Sequence, residues 1–189
     1  ALPISARVLK LRGHDPVIYE KNNVLGGTFI PASAESYKGK LRELLAWYRR
    51  QMKELDVEVH LGKEIDSVEK FGDAPVIIAT GSVPRVMKNI PGHERMIEAC
   101  DYLNGRDVGE RVVVIGGGLT GSEIAYELAL QGKRPVIVEM KNDLVAQKGV
   151  CLANSSYLRE WFELHEVPVY LETKLKEVKE HSVICTDKT

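Results

Sequence analysis

A run of β-branched residues that breaks into a glycine-rich turn constrains this 189-residue chain more than any other feature. Residues 112–115 read Val-Val-Val-Ile, and Gly116, Gly118 and Gly121 follow them in the spacing Gly-x-Gly-x-x-Gly. A helical pattern comes next, and Glu139 stands at the end of a second apolar run after that helix. This order of strand, turn, helix, strand and acid is typical of a dinucleotide-binding unit.

Each glycine of that turn has a mechanical reason. Gly116 permits the tight turn, Gly118 lets the backbone approach a pyrophosphate, and Gly121 lets the helix pack closely on the strand. The pyrophosphate is expected at the N-terminus of the helix, where free N–H groups and the helix dipole favour an anion. The candidate cofactor-binding residues of the turn are Gly116, Gly117, Gly118, Leu119, Thr120 and Gly121.

The segment before Glu139 is repeated near the start of the chain. When Ala6 is aligned with Ala125, eight of fifteen positions are identical without a gap. The first copy contains Ala6, Leu9, Leu11, Gly13, Pro16, Val17, Ile18 and Glu20, which match Ala125, Leu128, Leu130, Gly132, Pro135, Val136, Ile137 and Glu139. Both copies read as the end of a helix, a glycine stop, a parallel-type strand and an acid at the carboxyl end of that strand.

The repeat continues downstream at a slightly different offset, which aligns Val57 with Val167. It predicts a helix, a strand, a second helix, a strand and a β-rich excursion in each unit. The second helix of unit one carries apolar residues at helical spacing, namely Leu41, Leu44, Leu45, Tyr48, Met52 and Leu55. Its counterpart carries Tyr157, Leu158, Trp161, Phe162 and His165, which are predicted to pack against the sheet. The predicted fold class is α/β, with two Rossmann-like three-layer units built on parallel sheets.

Both units are predicted to be incomplete. The last glycine of a turn in unit one would fall at position 2, where Leu2 stands instead. Unit one is predicted to close with a buried strand and turn in residues 73–81, and unit two stops before any such strand. The predicted units are residues 1–107 and residues 108–189 of a longer protein. Their unpaired strand edges favour self-association.

Composition and charge exclude several classes of function. The formal net charge of −1 gives no reason to expect nucleic acid or an anionic membrane as a partner. No apolar run approaches the roughly 20 residues of a membrane helix, and the layout of a signal peptide is absent. The three cysteines form no CxxC pair, and the five histidines show no metal-ligand spacing. These features predict a cytoplasmic protein without a metal site of its own.

Three short sequence motifs, together with the glycine turn, resemble those of a known family. They are Tyr-Glu-Lys-Asn-Asn-Val-Leu-Gly-Gly at 19–27, Ala-Thr-Gly-Ser-Val-Pro-Arg at 79–85 and Tyr-Leu-Asn-Gly at 102–105. In this order, they resemble the C-terminal nucleotide-binding region of the 2-enoate reductase and NADH:flavin oxidoreductase family. That family includes 2,4-dienoyl-CoA reductase and trimethylamine dehydrogenase, and the resemblance covers the chain from about Ala6 onward.

The resemblance implies a larger enzyme. Enzymes of this family carry an N-terminal flavin-binding barrel with FMN and a 4Fe–4S cluster. That part of the enzyme reduces the substrate. The region that resembles this chain passes hydride from NAD(P)H to FAD. By resemblance, residues 1–107 form a partial FAD-binding unit and residues 108–189 an NAD(P)-binding unit. The fragment alone is expected to be inactive, and its partners would be a nicotinamide dinucleotide and the missing barrel.

Glu139 is predicted to accept hydrogen bonds from the adenosine ribose of the nicotinamide dinucleotide, with Met140 beside it. A carboxylate there attracts a free 2′-hydroxyl and repels a 2′-phosphate, which favours NAD(H) over NADP(H). Lys141 and Arg134 lie close in sequence and are the alternative, since either could take a phosphate. Glu123 is either an acid near the nicotinamide or a first-turn acid that stabilises the helix dipole.

In unit one the resemblance assigns FAD contacts to Glu20, Lys21, Gly26, Gly27, Ala79, Thr80 and Gly81. Tight FAD binding is not expected there, because the phosphate-binding turn is absent. Two other functions compete with hydride transfer. One is a non-catalytic module that holds ADP or NAD. The other is a disulfide reductase, against which the lack of a CxxC pair argues directly.

Overall fold

The computed structural model describes residues 2–187, which form two compact units. The division falls between Val83 and Pro84, with unit one before it and unit two after it. Residues 84–107 therefore lie with the second unit. Among the described residues, no helix combines the length and the apolar character needed to cross a membrane.

Unit one is a two-stranded parallel sheet with helices packed on it. Its elements are α1 (Leu2–Leu11), β1 (Val17–Glu20), α2 (Phe29–Ala32), a 3₁₀ turn (Ser36–Lys38), α3 (Gly39–Glu54), β2 (Glu58–Leu61) and a second 3₁₀ turn (Val68–Phe71). The core consists of Ala6, Ile18, Leu25, Met52 and Val57. The predicted helix of unit one is confirmed as α3, which buries Leu45 and Met52 one heptad apart.

Unit two is built on a three-stranded parallel sheet in the order β3-β4-β5. Its elements are a 3₁₀ turn (His93–Arg95), α4 (Ala99–Leu103), β3 (Arg111–Ile115), α5 (Leu119–Leu130), β4 (Arg134–Val138), α6 (Leu152–Leu164), β5 (Val169–Tyr170), β6 (Lys174–Val178) and β7 (Val183–Thr186). The core joins α5, β4, the following loop and α6 through Ala125, Ile137, Leu144, Val145, Leu158 and Phe162. Strands β6 and β7 form the predicted β-rich excursion as an antiparallel hairpin.

The internal repeat is visible in the backbone hydrogen bonds. Ile18 pairs with Val59 in unit one, and Ile137 pairs with Val169 at the repeated positions of unit two. The carbonyl oxygens of the two repeated acids accept equivalent bonds. Lys63 N–H donates to Glu20 O and Thr173 N–H donates to Glu139 O, each at 2.9 Å. The α/β class with parallel sheets is thus confirmed in both units.

Two predictions for the end of unit one are wrong. Residues 73–81 form no strand, and Ile77 and Ile78 are 55% and 72% exposed. A buried parallel strand needs a hydrogen-bonded neighbour, and this segment pairs with neither β1 nor β2, which are the strands of this sheet among the described residues. The predicted β-rich excursion of this unit is instead the 3₁₀ turn at Val68–Phe71.

The aromatic face predicted for α6 is only partly buried. Phe162 is 1% exposed and Trp161 packs against the core, but Tyr157 is 52% exposed and His165 lies beyond the end of the helix. Tyr157 is held at the edge by its hydroxyl, which lies 3.0 Å from that of Tyr126. This hydrogen bond raises the pKa of Tyr126. The prediction that Tyr157 and His165 pack into the core is wrong.

Candidate nucleotide-binding site

The glycine turn lies at the carboxyl end of β3 and leads directly into α5. Gly116 has φ +100°, a conformation that glycine adopts without strain, and its N–H donates to Val138 O at 2.8 Å. A methyl group at Gly121 would lie 1.9 Å from Gly116 O, so only glycine lets the helix approach the turn this closely. The tight turn and close helix packing predicted from the spacing are both present.

Glu139 comes from the end of β4 and lies against this turn. Its Oε2 accepts a hydrogen bond from Gly117 N–H at 2.6 Å, and its Oε1 accepts one from Lys141 N–H at 2.8 Å. The residue is only 7% exposed. Hydrogen bonds from two backbone N–H groups therefore stabilise the buried carboxylate and fix its orientation.

The loop after β4 folds onto the same turn. Val145 N–H donates to Gly117 O at 2.7 Å, and Leu144 packs so closely that a methyl group at Gly117 would lie 2.4 Å from its Cδ2. Arg159 of α6 holds the loop from behind, since its Nε and one terminal nitrogen donate to Leu144 O at 3.1 and 2.6 Å. The same guanidinium pairs with Asp143 at 2.8 Å.

Val145 has φ +51°, an unusual value for a β-branched residue. Such a conformation costs about 1–3 kcal/mol and persists only where its surroundings impose it. Here the surroundings are the hydrogen bond to Gly117 and a core that leaves Val145 only 3% exposed. The loop is thus held on the glycine turn against its own backbone preference.

The N-terminus of α5 begins after Gly118, which offers no side chain to cap it. Leu119 N–H donates instead to Oε1 of Gln147 at 3.0 Å. Behind the turn, the fully buried Ser122 donates its hydroxyl to Gly117 O at 3.2 Å. These side chains were not among the predicted site residues, because Gln147 and Arg159 reach the turn from outside the Gly-x-Gly-x-x-Gly spacing.

The remaining predicted residues of unit two lie at the margin of this arrangement. Met140 is 55% exposed, Thr120 is exposed, and Glu123 is half-buried in the first turns of α5. Arg134 begins β4 and lies 3.8 Å from Glu110, whereas Glu139 follows the other end of that strand. The alternative in which Arg134 takes a phosphate near Glu139 is therefore wrong, and Lys141 alone retains that option.

Unit one reproduces part of this geometry. Oε1 of Glu20 accepts hydrogen bonds from the backbone N–H and side-chain amide of Asn22 at 2.9 and 2.8 Å. Arg49 of α3 donates two N–H groups to Leu25 O at 2.8 and 2.6 Å. Gly26 has φ +145°, which suits glycine.

The described part of unit one does not complete a flavin-nucleotide site. The described residues before β1 form α1 from Leu2 onward, so they supply no glycine turn beside Glu20. Gly27 and Lys21 are exposed, and no hydrogen bond between described residues joins Glu20 to Ala79, Thr80 or Gly81. Among the described residues of unit one, a pyrophosphate would find no glycine turn with backbone donors beside Glu20.

A glycine turn at the carboxyl end of β3, with an acid from β4 beside it, defines a Rossmann-type nucleotide-binding unit. The chain belongs to the pyridine nucleotide-disulphide oxidoreductase family, whose model matches residues 6–189. The chain itself contains no CxxC pair. No group of three or more His, Cys, Asp or Glu residues suited to a metal occurs among the described residues.

Individual relatives confirm the resemblance to enoate reductases and NADH oxidases. The chain is 39% identical to a cinnamate reductase of Clostridium sporogenes over 87% of this chain and 25% of that protein. It is 40% identical to an NADH oxidase of Thermoanaerobacter brockii over 70% of this chain and 22% of that protein. A 2-naphthoyl-CoA reductase structure superposes with a TM-score of 0.85 at 25% identity, over 98% of this chain and 28% of that one. The chain thus spans about a quarter of the length of these relatives.

Proposed function

We propose that unit two binds a nicotinamide dinucleotide at the glycine turn. The observation that carries the proposal is the Glu139 carboxylate held against Gly117 N–H at 2.6 Å. This contact places the acid of β4 directly beside the turn that would receive the pyrophosphate. The Leu119 N–H and the N-terminus of α5 supply donors for that anion.

Glu139 favours NAD(H) over NADP(H) in this proposal. The carboxylate would accept hydrogen bonds from the ribose hydroxyls, while its charge would repel a 2′-phosphate. Because Gly117 and Lys141 N–H groups hold both oxygens, the carboxylate cannot turn away from a phosphate without losing a bond. Lys141, which is exposed near this site, is the remaining cation that could instead bind a 2′-phosphate.

The chain would contribute its nicotinamide unit to a longer flavoenzyme. The bound nicotinamide supplies hydride, which passes to FAD in the proposed enzyme. This chain would bind and orient the donor, and no side chain need act as acid or base in that transfer. The likeness to cinnamate reductase and NADH oxidase supports this role, with FMN and a 4Fe–4S cluster proposed outside the chain.

Calorimetric titration of the 189-residue chain with NADH and NADPH tests the proposal. We expect NADH to bind about tenfold more tightly, a difference of about 1.4 kcal/mol. A tenfold preference for NADPH would overturn the role of Glu139. If neither NADH nor NADPH binds, the proposal that unit two binds a dinucleotide is overturned.

The incomplete flavin site of unit one favours a second candidate for the isolated chain, a nucleotide-binding module that transfers no hydride. The colour of the purified protein separates the two functions. A yellow protein that bleaches with NADH would support hydride transfer within this chain. A colourless protein that binds NADH would support the module, and it is the result we expect of this chain.

A further inference from the structure

We propose that Gln147 contacts the pyrophosphate of the bound dinucleotide and gives up its own hydrogen bond to the helix when the ligand enters. The inference rests on the proposed function of unit two. Its starting point is the position of the Gln147 amide, whose Oε1 accepts from Leu119 N–H at 3.0 Å. A methyl group at Gly118 would lie 3.2 Å from Oε1 and 3.7 Å from Nε2 of the same side chain. The amide thus lies against the two residues expected to receive the phosphates.

The hydrogen bond from Leu119 N–H to Gln147 satisfies a backbone donor for which the helix itself has no acceptor. The first N–H groups of any α-helix have no partner inside the helix, and Gly118 has no side chain with which to cap them. An amide oxygen is a neutral acceptor, while a phosphate oxygen carries charge and makes the stronger bond at a helix N-terminus. A phosphate that reaches this turn should therefore take the Leu119 N–H from Gln147.

The loop keeps Gln147 beside the turn after this exchange. Two residues before it, Val145 N–H is bonded to Gly117 O, and Arg159 holds Leu144 O. The Gln147 side chain itself is exposed, so it can rotate while its backbone stays anchored. It then presents Nε2–H as a donor to the phosphate.

Glutamine suits both arrangements because one amide carries an acceptor and a donor. A glutamate at the same place would keep the acceptor for Leu119 N–H, add a charge that binds the helix N-terminus more strongly, and repel the phosphate. Alanine would remove both functions. The two substitutions therefore separate competition for the helix end from contact with the ligand.

The test measures NADH and adenosine binding to the unsubstituted chain and to the variants Gln147→Ala and Gln147→Glu, by NMR titration. We expect NADH affinity to fall about tenfold or more in Gln147→Glu and about three- to tenfold in Gln147→Ala, because each loses a hydrogen bond to a charged group. Adenosine, which has no phosphate, should bind all three proteins within about twofold. Gln131→Ala is the matched control, since Gln131 follows the opposite end of α5.

The possible outcomes distinguish this inference from the proposed function. If Gln147→Ala binds NADH as tightly as the unsubstituted chain or more tightly, Gln147 only competes for the helix end and the inference is wrong. Equal losses for NADH and adenosine would show a distorted loop and would also overturn it. If the unsubstituted chain fails to bind NADH, the proposed function fails and the inference fails with it.

Discussion

The two units share a repeated framework, but only the second has a glycine turn among its described residues. In both, an arginine from the second repeated helix binds the carbonyl of a buried leucine with two N–H groups. Arg49 and Leu25 form this clamp in unit one, and Arg159 and Leu144 form it in unit two. The clamp residues align at the same offsets as the repeat. The clamp holds the loop after the acidic strand whether or not a nucleotide turn lies beneath that loop.

A comparison of Glu20 with Glu139 shows what the glycine turn contributes to the position of the acid. Both accept a hydrogen bond from the N–H two residues ahead, Glu20 from Asn22 and Glu139 from Lys141. Only Glu139 also accepts one from a turn, through Gly117, and it is buried. Glu20 remains half-buried and bonded to its local neighbour. A repeated local motif therefore positions the acid, but the hydrogen bond from the turn accompanies burial only at Glu139.

Gly121→Ala should produce the largest difference between the units. A methyl group 1.9 Å from Gly116 O forces α5 away from the turn, which should lower the free energy of unfolding of unit two by about 3 kcal/mol or more. Unit one should be unaffected. Trp47 and Trp161 allow each unit to be followed separately by fluorescence in urea, using Trp161→Phe and Trp47→Phe backgrounds.

Gly39→Ala is the matched control, because Gly39 begins α3 with helical angles and a methyl group there would lie 3.7 Å from the end of the Arg42 side chain. It should leave unit one unchanged or slightly more stable. Equal losses from both substitutions would contradict the tight packing assigned to Gly121.

Glu139→Ala and Glu20→Ala should lower the free energy of unfolding of their units by different amounts in the same fluorescence assay. Removing Glu139 leaves Gly117 N–H buried without its charged acceptor, which should cost unit two about 3 kcal/mol. Removing Glu20 breaks local, solvent-accessible bonds to Asn22 and should cost unit one about 1 kcal/mol or less. A loss in Glu20→Ala as large as that in Glu139→Ala would mean that the acid is structural in both units.

Arg49→Ala should lower the free energy of unfolding by about 2 kcal/mol, because it leaves a leucine carbonyl without two donors. Arg159→Ala should cost slightly more, because it also breaks the pair with Asp143, a partly exposed ion pair worth about 1 kcal/mol or less. Their effects on NADH binding should diverge. Arg159→Ala should weaken binding, since it frees the loop that lies on Gly117, and Arg49→Ala should not. Calorimetry at a temperature where both variants remain folded measures this, and equal weakening would refute a role of Arg159 specific to the nucleotide site.

Ile78→Ser should have the smallest effect on stability. Ile78 is 72% exposed in a segment without a strand, so the free energy of unfolding of unit one should change by less than about 0.5 kcal/mol. Sedimentation velocity should show less self-association, because the exposed apolar segment next to Ile77 is interrupted. A loss of several kcal/mol would indicate that the segment is a buried strand in solution, as the sequence predicts.

Much of the candidate site was predictable because its signals are local. Glycine spacing and a β-branched run specify the turn, and the end of the next apolar run gives the acid. The contacts of Gln147 and Arg159 were not predictable in this way. They come from the loop after β4 and from α6, which no short spacing relates to the turn. The repeat did contain a signal for Arg159, since Arg49 aligns with it at the same offset that pairs Val57 with Val167.

The repeated order of helices and strands, the parallel pairing and the glycine turn follow from sequence alone, because each depends on the periodicity or conformational freedom of a few adjacent residues. Whether an apolar segment becomes a strand was settled by tertiary packing instead. Residues 75–79 have the composition of a strand but pair with neither β1 nor β2. Packing likewise made Glu139 buried and left Glu20 half-exposed, because a buried carboxylate needs donors that its own segment cannot supply.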